Sequence, residues 1–236
     1  MMSKKAQFTH RGFRNLLFFL LLYLFISPFL VPYPSVAIIA HSLLSLTLFF
    51  SVWAVQKHQN HRSMAIVLVI PVLALYWLGL YEIIPFDLLS AYFLLALFFT
   101  LLIISFVGQL IRAERIDLQV IFGTLCLYLI IGLFWGALYS LLYELSPGSF
   151  AGTLLDTPKG SLLTTFNYFS MVTLTTLGYG DITPQNHAAG ALCQIEAITG
   201  QFYIAVVVAW LVGNFIADRQ QSLQERNKPS GTYHGR

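Results

Sequence analysis

Residues 161–181, with the sequence SLLTTFNYFSMVTLTTLGYGD, decide the fold of this chain. Their first part, about 13 residues of moderate apolarity, reaches roughly 20 Å as a helix, which is too short for a hydrocarbon core of about 30 Å. Ser161 is a suitable N-cap, which favours a short re-entrant helix. The residues that follow, 174–181, are predicted to be extended. Extended backbone at membrane depth is tolerated only where protein buries it or where it lines a polar path.

The composition is that of a membrane protein. Of the 236 residues, 57% are hydrophobic and only 10% are charged, whereas about a quarter of a soluble domain is charged. These proportions exclude an ordinary soluble enzyme, a disordered tail and a nucleic-acid-binding module. We therefore expect no enzyme activity, no cofactor and no nucleic-acid partner, and we expect membrane lipid around the protein. Cys126 and Cys193 both lie in apolar stretches and do not form a disulfide framework.

Six apolar runs are long enough to be transmembrane helices, which need about 20 residues each. They cover residues 16–31, 36–55, 64–80, 88–111, 120–143 and 188–217. The short re-entrant helix and the extended strip after it, residues 175–180, lie between the fifth and sixth runs. We divide the chain into a four-helix N-terminal membrane domain, a second membrane domain and a short cytoplasmic tail, which cover residues 1–118, 119–217 and 218–236.

The distribution of positive charge predicts the orientation, because Lys and Arg are retained preferentially on the cytoplasmic side of a membrane. With six spans and the N-terminus inside, all of the 13 Lys and Arg residues except Lys159 are cytoplasmic. An odd number of spans loses this segregation. We predict a multi-pass protein of the cell membrane, plasma or inner, with both termini in the cytoplasm.

The residue types of the strip predict a cation site made of main-chain oxygens. Gly178 and Gly180 can take positive φ, so that successive carbonyls point the same way. Rings of such carbonyls replace the water around a monovalent cation, and one chain supplies only one strip, so several copies are needed. Asp181 follows the strip directly, where its charge would raise the cation concentration at the outer mouth.

The seven residues TTLGYGD at 175–181 resemble the signature filter of the potassium channel family, with Leu177 where that filter commonly has Val. The resemblance covers about residues 119–217, while residues 1–118 match the family by topology only. It implies an all-α integral membrane protein with six transmembrane helices, in which a re-entrant pore helix and a selectivity filter lie between helices five and six. It also implies a homotetramer that conducts K+. The expected K+ ligands are the main-chain carbonyls of Thr176, Leu177, Gly178 and Tyr179, together with the Thr176 hydroxyl.

The same resemblance assigns the residues that support the filter. Tyr168 and Phe169 occupy the places of an aromatic cuff, and Tyr168 is expected to bond Asp181, whereas Phe169 has no hydrogen-bond donor. Thr173 is expected to meet the Tyr179 hydroxyl. The complete set of supporting residues is Thr175, Gly180, Asp181, Tyr168, Phe169 and Thr173.

The inner helix carries a further set of expected site residues. Gly200 has the spacing from Gly178 at which the family often has a hinge glycine, and a glycine makes a helix easier to bend. The side chains expected to line the cavity are Gln201, Ile204, Val208 and Val212. Gln201 is either a cavity-lining amide or an interhelical hydrogen-bonding group. Glu196 is either a functional ionisable group or a structural group behind the filter, neutralised by protonation.

Gating and function leave several alternatives. The fourth apolar run, 88–111, contains no Lys or Arg, so weak or absent voltage dependence is predicted. The leading function is a K+-selective channel. The alternatives are a nonselective cation channel, a silent subunit and, from another class, a secondary transporter, which needs paired broken helices where only one interruption is visible.

Overall fold

In the computed structural model, the apolar runs form helices, because a helix satisfies its own peptide groups. The structure describes residues 12–30, 33, 37–54, 59–80, 87–113, 118–155 and 162–226. The long helices among them are α1 Gly12–Leu30, α2 Ala37–Ala54, α3 Gln59–Leu80, α4 Asp87–Ile111, α5 Leu118–Leu145 and α7 His187–Arg226, and α6 Leu162–Leu174 is the short one. The predicted N-cap Ser161 lies outside the described residues.

Four helices in the described part of the chain are long and apolar enough to cross a membrane. They are α1, α4, α5 and the first 27 residues of α7, His187–Gly213. The apolar stretches of α2 and α3 are shorter, Ile38–Ala54 and Ser63–Leu75. Each of the six predicted apolar runs therefore coincides with a helix, while four of these helices qualify as spans on the described residues. The six-span topology stays a prediction.

The helix α5 lies at the centre of the packing and contacts α1, α4, α6 and α7. Its partners α1 and α4 also meet each other, because the rings of Phe13 and Phe106 pack edge to face with centroids 5.1 Å apart. Buried polar contacts strengthen this arrangement. Asn167 Nδ2 of α6 donates to Tyr23 Oη of α1 at 2.9 Å, and both residues are buried. The first helix is thus bonded directly to the short helix α6.

A small antiparallel sheet, which the all-α prediction missed, closes the segment that contains α6. Its strands are β1 Phe150–Gly152 and β2 Ile182–Pro184, with Ala151 opposite Thr183. Strands of three residues are too short to show a period of two in the sequence, and the partners are distant along the chain. The pairing brings the beginning and the end of the 150–184 segment together.

The last helix is longer than predicted. The expected span ended at residue 217, but α7 continues without interruption to Arg226, into residues assigned to the cytoplasmic tail. The helix therefore extends beyond the apolar part of its sequence, which ends at Ala217 before Asp218 and Arg219.

Gly136→Ala is expected to destabilise the packing of α5 on α6. An added Cβ would lie 2.1 Å from Asn167 Oδ1 and 3.0 Å from Asn167 Cα, so backbone as well as side chain would have to move. Overpacking of this kind costs typically about 1–3 kcal/mol. The expected result is a lower midpoint of thermal unfolding for the purified protein in detergent.

Gly108→Ala in α4 is the matched control for this substitution, because nothing lies within 4 Å of a Cβ at that position. Its unfolding midpoint is expected to stay unchanged or to rise, since alanine is the better helix former. Equal midpoints for the two variants would contradict the close approach of α5 and α6.

Candidate functional site

The strip after α6 has an alternating backbone. Thr176, Gly178 and Gly180 have φ values of 59°, 60° and 77°, while Leu177 and Tyr179 between them do not have positive φ. Residues that alternate between the two hands of φ turn successive carbonyls toward one side of the chain. The positive φ at the two glycines agrees with prediction. That at Thr176 was not predicted, because a β-branched residue rarely takes this conformation.

The peptide groups of the strip are bonded on one side only. The N–H groups of Leu177 and Gly178 both donate to the Val172 carbonyl, at 2.9 and 3.3 Å, and the Thr176 N–H donates to the Thr173 carbonyl at 2.9 Å. Within the described part of a single chain, the carbonyl oxygens of residues 176–179 accept no hydrogen bond. Carbonyls at the end of α6 therefore accept the N–H groups of residues 176–178, and the carbonyl oxygens of residues 176–179 remain available to a ligand.

The side chains of the strip are exposed in the single chain. The exposed fractions are 56% for Leu177 and 67% for Tyr179. Among the described residues, no hydrogen bond joins Tyr179 to Thr173, so this expected contact is not made within one chain. The Thr175 hydroxyl turns back and donates to the Met171 carbonyl at 2.7 Å, which continues the bonding of α6.

Asp181, at the C-terminal end of the strip, is hydrogen-bonded to α6 by the expected contact. Tyr168 Oη donates to Asp181 Oδ2 at 2.6 Å, and Asp181 Oδ1 accepts the N–H of Ile182 at 3.1 Å. Burial and the hydrogen bond to Asp181 raise the pKa of Tyr168 to about 12, so the phenol keeps its proton and remains a donor at neutral pH. The Asp181 carboxylate is thereby held beside the end of the strip.

Phe169 is a buried member of an aromatic cluster. Its ring lies 5.1 Å from that of Tyr139, 5.6 Å from that of Phe150 and 6.4 Å from that of Phe166, measured between centroids. These partners come from α5, from β1 and from α6 itself. Phe169 therefore packs α6 against its own chain. It stabilises this contact by burying apolar surface and not by a hydrogen bond.

The N-terminal end of the strip is hydrogen-bonded to α7. Gln201 Nε2 donates to Thr176 Oγ1 at 3.1 Å, and the Gln201 side chain is exposed, so it lies both on an open surface and against another element. The other expected cavity residues, Ile204, Val208 and Val212, are also exposed on α7. Gln201 and these three residues follow one another at spacings of three, four and four, which places them on the same side of the helix.

Gly200 occupies a point of close contact. An added Cβ there would lie 2.0 Å from the Leu174 carbonyl oxygen and 3.2 Å from the Leu174 Cα. The same carbonyl accepts a bond of 3.4 Å from Tyr128 Oη. Since α7 is continuous through this position, the structure gives Gly200 a packing role, and the expected hinge role remains a proposal.

Glu196 is completely buried behind α6. Its Oε2 accepts a hydrogen bond from Tyr139 Oη of α5, and its Oε1 lies 2.5 Å from Ser170 Oγ of α6. These partners support the structural alternative for Glu196. The contacts of Ser170 and Asn167 were not predicted. Two polar residues inside a short apolar helix indicate buried hydrogen bonds to neighbouring helices, and this pattern is visible in the sequence.

Together, a short helix with a one-sided strip of carbonyls, between two long apolar helices, has the parts of an ion-conducting pore. Residues 123–217 match the family model described as an ion channel. The matched range contains α6, the strip and most of α5 and α7. This part of the chain is similar to a family of ion channels, which is not a family of enzymes. No curated protein matches the chain.

Gly200→Ala is expected to disturb the end of α6 and to lower the thermal unfolding midpoint, because the Leu174 backbone cannot withdraw from the added methyl without moving the strip. Gly213→Ala in the same helix is the matched control, since nothing lies within 4 Å of a Cβ there. A glycine that served as a hinge alone would leave the midpoint of Gly200→Ala no lower than that of Gly213→Ala. That outcome would contradict the packing role.

Proposed function

We propose that this protein is a homotetrameric, potassium-selective channel that conducts K+ passively across the membrane. The observation that carries the proposal is the one-sided bonding of the strip. The N–H groups of residues 175–178 are bonded to the end of α6, and the carbonyls of residues 176–179 accept no bond in the described part of the chain. Unpaired carbonyls are costly at membrane depth unless a ligand or water takes them up.

A monovalent cation is the ligand that suits these oxygens. Carbonyl dipoles provide partial negative charge without a full anion, so an ion binds well enough to enter and weakly enough to leave. The proposed ligands are the carbonyls of Thr176, Leu177, Gly178 and Tyr179, with the Thr176 hydroxyl at the inner end. The choice of K+ rests on the resemblance of residues 175–181 to the potassium channel filter.

The homotetramer is proposed because one strip covers a quarter of a closed ring. The surface of α7 supports this assembly. Only 11% of an 18-residue apolar stretch of α7 is buried within the chain, compared with 67% for the corresponding stretch of α5. Besides the polar and apolar residues that would face the cavity, α7 exposes a second apolar stripe at helical spacing, formed by Ile195, Ile198, Phe202 and Val206. A neighbouring subunit is the proposed cover for this stripe.

The topology completes the proposal. Residues 119–217 form the pore domain, in which α6 re-enters the membrane, and the four N-terminal helices, α1 to α4, cross it. Both termini lie in the cytoplasm of a cell, with residues 218–236 as the tail. The pairing of β1 with β2 supports re-entry. It brings the chain that leaves the strip next to the chain that precedes α6, as expected if both lie on the same side of the membrane.

Gly178→Ala is expected to abolish selective K+ flux. The residue has a φ of 60° at the centre of the strip, and a side chain is strained there although no atom lies within 4 Å of its Cβ. The measurement is the reversal potential of the reconstituted protein in a K+ gradient against Na+. The wild type should follow the K+ equilibrium potential.

Gly148→Ala is the matched control for this experiment. Gly148 also has positive φ, 88°, and open space around it, but it lies between α5 and β1, outside the strip. Its reversal potential should equal that of the wild type. A wild-type reversal near zero would replace the proposal by a nonselective channel, and tetramers without any flux would indicate a silent subunit.

The conductance is expected to depend weakly on voltage. Moving one elementary charge across the membrane potential supplies about 2.3 kcal/mol per 100 mV, and α4 contains no Lys or Arg to move. The measurement is a conductance–voltage curve in a planar bilayer with no blocking ions. A steep curve under these conditions would show that a charge elsewhere in the protein senses the field.

A further inference from the structure

Three contacts align α7 with α6 and the strip. Glu196 lies against Ser170, the Gly200 backbone lies against Leu174, and Gln201 donates to Thr176. The first two contacts are separated by four residues in both helices, one helical turn in each case. The position of α7 relative to the strip is therefore set by contacts of which Glu196 makes the outermost.

An ionised Glu196 would have no positive partner in this position. The side chain has no solvent exposure, and no Lys, Arg or His of the described chain forms an ion pair with it. The penalty for an ionised group buried without a counter-charge is several kcal/mol. The surrounding groups are hydroxyls from two neighbouring helices.

The hydrogen atoms available in this cluster identify the protonation state. Ser170 Oγ lies 2.7 Å from the Gly132 carbonyl oxygen and 2.5 Å from Glu196 Oε1. Both are hydrogen-bonding separations between oxygen atoms, and each requires a hydrogen between the two oxygens. Ser170 has one hydroxyl hydrogen, and a carbonyl has none. The second hydrogen therefore belongs to the carboxyl group.

We propose that Glu196 is a neutral, protonated positioning residue that holds the inner helix in register with the pore helix. Its Oε1–H donates to Ser170 Oγ, and the Ser170 hydroxyl donates to the Gly132 carbonyl. Tyr139 Oη donates to Glu196 Oε2. One uncharged chain of hydrogen bonds thus joins α5, α6 and α7 behind the strip, and every hydrogen in it has an acceptor.

The chain of bonds acts on the strip through position alone. Glu196 makes no hydrogen bond with residues 176–179 in the described chain, but it lies four residues before Gly200 and five before Gln201, the residues of α7 that meet the end of α6 and Thr176. If its bonds are lost, Ser170 and Tyr139 are left as buried polar groups with fewer partners. The effect on ion flux rests on the proposed function, whereas the protonation state does not.

The protonation state is tested by infrared difference spectroscopy on the full-length protein in lipid at neutral pH. The spectrum of the wild type minus that of Glu196→Gln should contain the C=O stretch of a protonated carboxylic acid. Glu144→Gln is the matched control, because Glu144 is an exposed carboxylate on α5. Its difference spectrum should contain carboxylate bands only. Carboxylate bands in the Glu196→Gln spectrum would overturn the proposal.

The positioning role is tested by a pair of substitutions at the same residue. Glutamine keeps a neutral acceptor for Tyr139 and a donor for Ser170, so Glu196→Gln should retain K+ flux within about twofold of the wild type. Leucine has similar bulk but no polar atoms, and Glu196→Leu should lose about tenfold or more of the flux per tetramer, since two buried bonds are removed. Equal flux for the leucine variant, or a tenfold loss for the glutamine variant, would overturn the role.

The two tests separate the inference from the proposed function. A wild type without K+ flux would count against the channel, while the infrared spectrum would still decide the state of Glu196. A leucine variant that fails to assemble leaves the infrared spectrum and the flux of Glu196→Gln as the deciding measurements. Each of these can contradict the proposal independently.

Discussion

The structure depends on one constraint, which is that peptide groups away from water need partners. Most of the described chain meets it by forming helices. The strip at 175–180 meets it in part, because carbonyls at the end of α6 accept the N–H groups of residues 175–178, with Val172 accepting two of them, while the carbonyls of residues 176–179 accept no bond within the described chain. The conformation of the strip is thus inseparable from the position of α6. Whatever holds the short helix in place also holds the row of oxygens.

The surroundings of α6 follow this requirement. Rings from α5, β1 and α6 itself pack around Phe169, which gives the helix a buried apolar side. A few polar bonds then fix its rotation and height, through Tyr23 on α1, Gly132 on α5 and Glu196 on α7. Apolar packing alone permits sliding between helices, whereas a buried hydrogen bond is lost as soon as its atoms separate. The combination explains why polar residues occur inside so apolar a helix.

The sequence predicted the parts of this arrangement that depend on local pattern. The apolar runs predicted the helices, and the alternation of Gly178 and Gly180 predicted two of the three positive φ angles. The hydrogen bond of Tyr168 with Asp181 was expected from the resemblance of residues 175–181 to the potassium channel filter. Contacts that depend on a distant partner could not be obtained in this way. The pairing of β1 with β2 joins residues about thirty positions apart, and the close approach at Gly200 depends on where the end of α6 lies. The apolar stretches of α2 and α3, Ile38–Ala54 and Ser63–Leu75, show that these residues can lie in a membrane. Their length alone does not fix how a helix is tilted or how deeply it is inserted.

The connection between α4 and α5 has a mechanical consequence. The first of these helices ends at Ile111 and the second begins at Leu118, and the two lie side by side. The six residues between them span at most about 20 Å even when extended. Two helices that pack side by side and are joined by so short a connection form a hairpin. A displacement of α1 or α4 would therefore reach α6 through the side of α5 and through the hydrogen bond between Tyr23 and Asn167. It would press on these helices from the side and would not pull on their ends.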